Sequence, residues 1–315
     1  MDMKIFEYII AIAENENVTK AAETVFISQS GLNQQLLKLE SELGVPLFYR
    51  NKKRLRLTPA GEIYVRNARV MHRLMKNTEQ QIHDLSQSPS GKMTLGLPSE
   101  HGVSLFVEIS EAFHKKFPNV TISIMESTVA TMEKSLKSNN LDMAFVMRAE
   151  NPDSRFANVK LCEERLVLGI PSAHPMALNA APYGKKPGTI SLNNFRNETF
   201  AFMFEGSTMR QVIDPLFEKA GFKPNIQFES GMNTALRRLV EKGLCCTIIP
   251  QSMARHDDHI AWFFLEDDPR WNWYIIYVQP KFLTAADKYL IELALDYSGR
   301  MKGHWDNFGI GSLFL

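Results

Sequence analysis

The chain has 315 residues, of which 44% are hydrophobic and 23% are charged, and this composition excludes a disordered or fibrous protein. The length exceeds one ordinary core, since domains hold roughly 100 to 200 residues, so we expect two or three domains. The net charge of +1 conceals a local surplus: residues 50–76 carry nine basic side chains and a single acidic one, Glu62. Such a surplus favours a nucleic-acid partner.

Neither a membrane span nor a secretory segment is predicted. The longest uncharged stretch, 166–184, contains three prolines and indicates a loop-rich crossing between elements. The N-terminus lacks a basic region followed by a purely apolar one, so we expect a cytoplasmic protein. Cys162, Cys245 and Cys246 are odd in number and two are adjacent, which favours buried free thiols over a disulfide framework.

The first 44 residues predict three short helices. Apolar residues at helical spacing over 5–13 predict the first helix, and the second begins at Thr19 as a plausible cap. Ser28 caps a third helix from Gln29 to about Glu42, which Gly44 ends. Only two residues separate the second and third helices, as in a helix-turn-helix pair.

Residues 47–57 predict a small hairpin with a basic tip, because an apolar run is followed by basic residues and then by alternation. This is the pattern of a wing beside a helix-turn-helix. Thr58 and Pro59 then begin a long helix that extends to about Gln87. Its narrow apolar stripe is more typical of a dimer seam than of a core helix.

From Gly91 onward, strands and helices alternate. The predicted strands are 93–97, 120–125, 143–147, 166–170, 200–204, 226–228, 245–249, 260–265 and 273–278. The predicted helices are 101–117, 129–138, 208–220, 232–242 and 284–297. This alternation predicts parallel sheets covered on both faces, and two such sheets would leave a cleft between them.

Two sets of motifs resemble the LysR family of bacterial transcription regulators. The first set occupies about sixty residues in the family's order and spacing: Phe6, Ala21-Ala22-Glu23, Ile27-Ser28-Gln29-Ser30, Leu39-Glu40, Leu43-Gly44, Leu47-Phe48, Arg50 and Leu57-Thr58-Pro59-Ala60-Gly61. The second set is looser and resembles the family's effector domain: Leu141-Asp142-Met143-Ala144, Ala220-Gly221-Phe222-Lys223-Pro224, Leu239-Val240-Glu241-Lys242-Gly243 and Ile249-Pro250.

The resemblance implies an α+β multidomain fold. It comprises a winged helix-turn-helix over 1–58, a linker and dimerisation helix over 59–90, and an effector-binding domain over 91–315. The last has the periplasmic-binding-protein type of fold, with subdomain I at about 91–165 and 269–315, subdomain II at about 166–268, and crossovers near Leu166 and Asp268. The resemblance also implies dimers, tetramers on DNA, and contact with RNA polymerase during activation.

The candidate DNA-binding residues are polar or basic and lie in the helix-turn-helix and the wing: Thr19, Ser28, Gln29, Ser30, Asn33, Gln34, Lys38, Arg50, Lys52, Lys53, Arg54 and Thr58. Asn and Gln can read adenine in the major groove, whereas the basic residues and helix-start hydroxyls would contact phosphates. A dimer would read an inverted repeat in double-stranded DNA. Asn33 stands where the family usually has Ser, and Gly31 where it usually has Ala, so we expect a different operator preference.

No catalytic constellation, metal site or cofactor is predicted. The motif His256-Asp257-Asp258-His259 is the best metal candidate but is more typical of a solvated loop. Leu95-Gly96-Leu97-Pro98 lacks the lysine and spacing of a phosphate loop, and Gly206-Ser207-Thr208 lacks a second glycine for a nucleophile elbow. We therefore expect no enzyme, and the alternative to a regulator is a solute-binding protein without gene control.

Candidate effector-binding residues follow the predicted strands: Ser99, Ser127, Thr128, Arg148, Ser207 and Thr208. Ligands of open parallel sheets collect beyond the carboxyl ends of the strands, near helix N-termini. Each hydroxyl taken alone is more typical of a helix cap, but their coincidence predicts a shared site for a small polar or anionic metabolite. Glu100, Glu126 and Glu205 nearby leave room for a zwitterion.

Overall fold

The computed structural model describes residues 4–50, 55–84, 90–149, 154–182, 185–255, 258–279, 281 and 283–311. The chain divides into two compact units, Met1–Ser88 and Pro89–Leu315.

The N-terminal unit is a winged helix-turn-helix followed by a long helix, as predicted. Its elements are α1 Lys4–Asn15, α2 Val18–Thr24, α3 Gln29–Leu43, β1 Phe48–Arg50, β2 Leu55–Leu57 and α4 Pro59–Asp84. One face of α1, α3 and α4 is buried around Ile9, Leu36 and Ala68, which form the core with the small residues of α2. The close approach of α1 to α2 depends on Ala21 and Ala22, both fully or almost fully buried.

The caps of α2 and α3 differ in how well the sequence predicts them. Ser28 caps α3 as expected, since its hydroxyl accepts the Gly31 N–H at 3.1 Å. The expected cap of α2 was wrong: Asn17, not Thr19, accepts the N–H groups of Thr19 and Lys20 at 2.8 and 3.2 Å. The Asn17 side chain forms the better cap because it stands one residue before the first helical turn.

The wing is an antiparallel hairpin in which Phe48 pairs with Leu57 and Arg50 with Leu55. Its predicted basic tip, residues 51–54, lies outside the described residues. Glu40 of α3 accepts the backbone N–H groups of Leu47 and Phe48 at 2.7 and 3.2 Å. The Leu-Glu pair of the family motif therefore fixes the start of the wing against α3.

Contacts between neighbouring elements also explain why the Thr-Pro-Ala-Gly motif has a threonine first and a glycine last. The Thr58 hydroxyl accepts the Gly61 N–H at 3.0 Å and donates to the Pro46 carbonyl at 2.7 Å, so it caps α4 and ties it to the wing. A Cβ on Gly61 would lie 2.0 Å from the Leu47 carbonyl oxygen, so only glycine permits this approach.

The C-terminal unit contains all nine strands and five helices predicted for it, with shifted ends. Its strands are β3 Gly91–Leu97, β4 Val120–Glu126, β5 Met143–Arg148, β6 Phe156–Pro171, β7 Thr189–Ile190, β8 Thr199–Met203, β9 Asn225–Ser230, β10 Cys246–Pro250, β11 Ile260–Leu265 and β12 Arg270–Val278. Its helices are α5 His101–Lys116, α6 Val129–Lys137, α7 Arg210–Lys219, α8 Asn233–Glu241 and α9 Ala285–Phe308.

The predicted parallel pairing holds within each lobe, but two long antiparallel strands, which the sequence pattern did not predict, join the parallel parts. The strand order is β4-β3-β5-β12-β6-β10-β8-β9, with β11 and β7 branching from β6. Strands β3, β4 and β5 are parallel and form the first lobe; β8, β9 and β10 are parallel and form the second lobe. Between them, β12 pairs antiparallel with β5 and β6, and β6 pairs antiparallel with β10.

The chain crosses between the lobes at two neighbouring points. The Leu166 N–H, in the middle of β6, donates to the carbonyl of Pro269, just before β12, at 2.9 Å. Strand β6 begins ten residues before the predicted strand of 166–170, and the charged Glu163 and Glu164 conceal this half in the sequence. The helix α9 likewise continues to Phe308, beyond the predicted end at 297.

The C-terminal tail packs on its own unit. Met301 and Trp305 are buried, and the rings of Trp305 and Trp273 lie 6.0 Å apart, edge to face. The Trp305 indole N–H donates to the Gly311 carbonyl at 3.0 Å. The described part of the tail therefore packs against its own chain.

Candidate DNA-contacting helix and effector cavity

The exposed side of α3 carries the predicted base-reading residues. Leu32, Leu36 and Leu39 are buried on one face. On the other side, Gln29 and Asn33 form one row along the helix, and Ser30, Gln34 and Lys38 form the next, because residues four apart lie above each other. All five are exposed except Asn33, which is half-buried. The helix thus presents amides and a lysine on one continuous strip.

The remaining predicted DNA contacts fall into different environments. Ser28 and Thr19 are exposed, at the starts of α3 and α2. Arg50 ends β1, whereas Lys52, Lys53 and Arg54 lie outside the described residues.

The structure contradicts a phosphate contact by Thr58. Its side chain is buried, with 5% exposure, and its one hydroxyl proton is donated to Pro46. The residue is a structural cap of α4.

One cavity of about 870 Å³ lies in the C-terminal unit, and all six predicted effector-binding residues line it. Ser99, Ser127 and Arg148 stand at the carboxyl ends of β3, β4 and β5. Ser207 follows β8 of the second lobe, so residues of both lobes meet there. The volume falls within the range of small-molecule sites, about 300 to 1,000 Å³.

Two of these hydroxyls also accept a backbone N–H at the start of a helix. Thr128 accepts the Thr131 N–H at the start of α6, and Ser207 accepts the Arg210 N–H at the start of α7, at 3.4 and 3.3 Å. Both distances are long. The Ser207 oxygen keeps its own proton available for donation, whereas the Thr128 hydroxyl also lies 3.0 Å from the Thr131 hydroxyl. The capping alternative therefore holds for Thr128, whereas Ser207 stands before the cap position of α7. Both residues remain in the cavity wall.

Arg148, one of the predicted effector-binding residues, has one ion pair and two unsatisfied donor atoms. Its Nη1 lies 3.2 Å from Glu133 Oε1 of α6, and its side chain is 11% exposed. Its Nε and Nη2 are buried and have no hydrogen-bond partner among the described residues. A buried guanidinium with two unused donors is unusual, because buried polar atoms are nearly always satisfied.

Sequence reasoning missed three further wall residues. Trp271 has a buried indole N–H, and Asn233 a buried side-chain carbonyl, for neither of which the described part of the chain provides a partner. His101 also lines the cavity, with its ring edge-to-face against Trp271 at 5.6 Å. The sequence pattern selects residues that directly follow a predicted parallel strand, and none of these three does. Trp271 lies in β12, whose place in the sheet depends on long-range pairing.

Behind the cavity, His101 belongs to a buried polar network. Its Nε2 lies 3.0 Å from the Ser252 hydroxyl and 3.8 Å from Glu164 Oε1. Glu164 accepts the Ser252 N–H and the Trp273 indole N–H at 3.2 and 2.5 Å. Burial lowers the pKa of His101 to about 4 and raises the pKa of Glu164 to about 7, so the imidazole is neutral at neutral pH.

The three cysteines are free and buried, as predicted. Burial raises the pKa of the Cys162, Cys245 and Cys246 thiols, which keeps them protonated and unreactive at neutral pH. Within the described ranges, no group of three or more His, Cys, Asp and Glu side chains could hold a metal ion. His256 and Asp257 of the weak metal motif lie outside those ranges. No described helix is both long and apolar enough to cross a membrane.

A winged helix-turn-helix joined to a two-lobed α/β unit with a cavity between the lobes defines a ligand-responsive DNA-binding protein. Residues 3–62 match the family model of the bacterial regulatory helix-turn-helix protein, lysR family. Residues 86–298 match the model of the LysR substrate binding domain. The chain therefore belongs to the LysR family of transcription regulators, and its helix-turn-helix excludes a plain solute-binding protein.

Individual relatives agree with this assignment. The uncharacterized HTH-type transcriptional regulator YybE of Bacillus subtilis (strain 168) is 30% identical over 250 residues, covering 79% of this chain and 82% of that protein. A full-length OxyR variant from Pseudomonas aeruginosa has a similar fold, with a TM-score of 0.72, 21% identity and coverage of 96% and 95%. Full-length CbnR complexed with its target DNA has a TM-score of 0.56, 22% identity and coverage of 95% and 100%.

Proposed function

We propose that this regulator reads its operator with the exposed strip of α3 and that a small polar or anionic metabolite in the cavity modulates DNA binding or promoter activation. Asn33 and Gln34 supply donor and acceptor together, which suits the edge of adenine. Gln29, Ser30 and Lys38 extend the same strip. Gln29 and Gln34 are exposed and Asn33 is half-buried on the same side of the helix, which supports a role of these amides in base contact.

Phosphate contacts supply affinity rather than sequence discrimination. We assign these contacts to the basic wing residues Arg50, Lys52, Lys53 and Arg54, and to the exposed hydroxyls of Ser28 and Thr19. Because several phosphates would be neutralised, the affinity for any duplex should fall steeply with salt concentration. Thr58 takes no part in these contacts.

A dimer would present two copies of α3 to an inverted repeat. The helix α4 supports this, because Ile63, Val70 and Leu74 are exposed on the side opposite to its buried Val65 and Ala68. The paired dimers form a tetramer on DNA in our proposal, and RNA polymerase is the partner when the protein activates.

The main support for the effector role is that residues from both lobes line one cavity. Six residues chosen from the sequence lie in its wall, and three of its buried side chains have polar atoms that find no partner in the described structure. A molecule held by both lobes would bind one lobe arrangement more tightly than others and shift the population toward it.

A thermal-shift screen of small metabolites on the full chain tests the effector role. The control is Gly231→Leu, which adds a side chain to the cavity wall where a new Cβ meets no atom within 4 Å. We expect a metabolite to raise the melting temperature of the wild type but not of Gly231→Leu, and to change operator affinity in the wild type only. Metabolites that stabilise both proteins equally bind elsewhere, and a screen with only such metabolites would contradict the effector role.

A further inference from the structure

We propose that the cavity takes an organic monocarboxylate with an apolar body and at least one further hydrogen-bond donor, such as a hydroxy acid or an amino acid. This inference rests on the proposed effector role and names the chemical class of the effector. It follows from the unsatisfied polar atoms of wall residues, which are covered in this structure and become reachable by a ligand only after a side-chain movement. It follows also from the charge of the wall and from its apolar part.

The carboxylate partner is Arg148. Glu133 occupies Nη1, which leaves the edge formed by Nε and Nη2. The two N–H groups on this edge of a guanidinium are parallel and match the two oxygens of a carboxylate in a bidentate pair. A single acceptor, such as a ligand carbonyl or a water molecule, would satisfy only one of them.

Two other buried groups define the rest of the ligand's polar pattern. The Trp271 indole, 6% exposed, offers a donor, and the Asn233 side-chain carbonyl, 3% exposed, offers an acceptor. The Asn233 amide nitrogen is already used, since it donates to Glu100 Oε2 at 3.1 Å. The free acceptor therefore requires a donor on the ligand, which a hydroxyl or amino group supplies and a plain fatty or aryl acid does not.

The charge of the wall argues against a second negative charge on the ligand. Arg148 is a cation, Glu133 is its counter-ion, and the low pKa of His101 makes that ring neutral. The N-termini of α6 and α7, of nine and ten residues, add a partial positive potential. A phosphate dianion would bring its second charge near Glu133, so a monocarboxylate suits this wall better.

The remaining wall is apolar. Met147, Met203 and Met209 line it together with the Trp271 ring. Methionine side chains adapt to the shape of an apolar group, and an indole ring packs against an aromatic or branched one. The ligand body should therefore be a phenyl or branched alkyl group rather than a sugar.

Calorimetric titration of the full chain with matched probes tests the ligand class. The probes are 3-phenyllactate, L-phenylalanine, 3-phenylpropionate, which lacks the donor, and 3-phenyllactamide, which lacks the charge. We expect a hydroxy or amino acid to bind most tightly and the amide to bind at least about tenfold more weakly, as the loss of a charge-assisted pair requires.

Three variants locate the contacts. Arg148→Lys keeps the charge and removes the bidentate edge, so it should weaken 3-phenyllactate binding about tenfold. Its control is Arg237→Lys, which alters an arginine of similar burial paired with Glu241 on α8. Trp271→Phe removes the unsatisfied donor, and its control, Trp262→Phe, removes an indole N–H that donates to the Arg255 carbonyl.

For the third variant, Asn233→Ala, the quantity compared is the ratio of the Kd values of 3-phenylpropionate and 3-phenyllactate. A general loss of stability does not change this ratio. In the wild type, 3-phenyllactate should bind more tightly than 3-phenylpropionate; in Asn233→Ala the two should bind equally. An unchanged ratio would contradict the role of Asn233.

The outcomes separate the ligand class from the effector role. Equal binding of acid and amide, unchanged binding in Arg148→Lys, or no binding of any acid at millimolar concentration overturns the carboxylate inference. If a neutral or cationic metabolite meanwhile stabilises the wild type but not Gly231→Leu, the effector role stands and only the ligand class is wrong. If the metabolite screen also finds no such molecule, both fail.

Discussion

The Glu100 carboxylate accepts the backbone N–H of Asn233 at 2.6 Å and thereby joins the start of α5 in the first lobe to the start of α8 in the second. Its other oxygen accepts the Thr234 N–H at 2.9 Å, so one side chain caps a helix of the opposite lobe. Glu100 has φ +65° and ψ −78°, and the His101 N–H donates to the Ser99 carbonyl across it. This is a γ-turn with positive φ, a strained conformation that persists only where the surroundings impose it.

Glu100→Gln tests this link between the lobes. An amide keeps the shape but turns one N–H pair toward the α8 backbone, so the free energy of unfolding of the C-terminal unit should fall by about 1 to 2 kcal/mol. Urea denaturation measures it. The control Glu292→Gln changes an exposed glutamate on α9 and should have little effect; equal losses in both variants would contradict the link.

Gly61→Ala tests the junction of the wing and α4. The new Cβ would lie 2.0 Å from the Leu47 carbonyl oxygen, so we expect a loss of about 2 kcal/mol or more in the free energy of unfolding of the N-terminal unit. In Gly299→Ala the new methyl group on α9 meets open space, and the better helix former should stabilise the C-terminal unit slightly. A Gly61→Ala protein as stable as the wild type would exclude the close approach.

The buried pair Glu164 and His101 predicts opposite pH dependences. The pKa of Glu164 is raised to about 7 in the fold, so the folded state binds the extra proton and this group's contribution to stability falls as pH rises from 4.5 to about 7. The pKa of His101 is lowered to about 4, so the unfolded state binds the extra proton and this contribution rises with pH between about 4 and 6.5. The two effects oppose each other over most of this range.

Replacement of Glu164 with glutamine separates the pH dependence caused by Glu164 from that caused by His101. The free energy of unfolding of Glu164→Gln should increase relative to the wild type as pH is raised from 5 to 7, because only the wild type has to ionise a buried carboxyl. Denaturation curves of both proteins at pH 5, 6 and 7 measure the difference. A constant difference across this range would show that Glu164 ionises normally.

The apolar stripe of α4 predicts the oligomeric state. Leu74 is 66% exposed in the single chain, and Leu74→Glu would place a charge in the dimer seam, so we expect the mass measured by light scattering to fall toward that of a monomer. Leu178→Glu is the matched control, since it changes a leucine that is 93% exposed in the other unit. Dimers that persist equally in both variants would place the seam elsewhere.

Local patterns predicted the elements, whereas long-range pairings decided the site. The turn between α2 and α3, the cap at Ser28 and the strand ends at Ser99 and Ser127 depend on neighbours in the sequence, and the structure has them where expected. Trp271 and Asn233 enter the cavity through the antiparallel crossing of β12 and the capping of α8 by Glu100. Such contacts join residues more than a hundred positions apart and leave no periodic signal.

Glu164 shows a second reason why the sequence did not predict the whole structure. Glutamate is typical of the surface, so the first half of β6, which contains Glu164, was not predicted as a strand. Glu164 is nevertheless fully buried, because Ser252 and Trp273 donate hydrogen bonds to it from other elements. Thr58 shows the reverse. Its position at a helix start suggests a phosphate contact, but its hydroxyl donates a hydrogen bond to the Pro46 carbonyl instead.

Operator discrimination by α3 is the most direct test of the account. Duplexes selected by the full chain from a random pool would be compared with scrambled duplexes of the same composition, and the ratio of the two Kd values measured for the wild type, Asn33→Ala, Gln34→Ala and Gln35→Ala. Gln35 is the matched control, an exposed amide on α3 that points about 100° around the helix from Gln34. We predict that the ratio falls about tenfold in Asn33→Ala and Gln34→Ala and stays unchanged in Gln35→Ala. An unchanged ratio in both Asn33→Ala and Gln34→Ala would contradict the assignment of α3 as the reading helix.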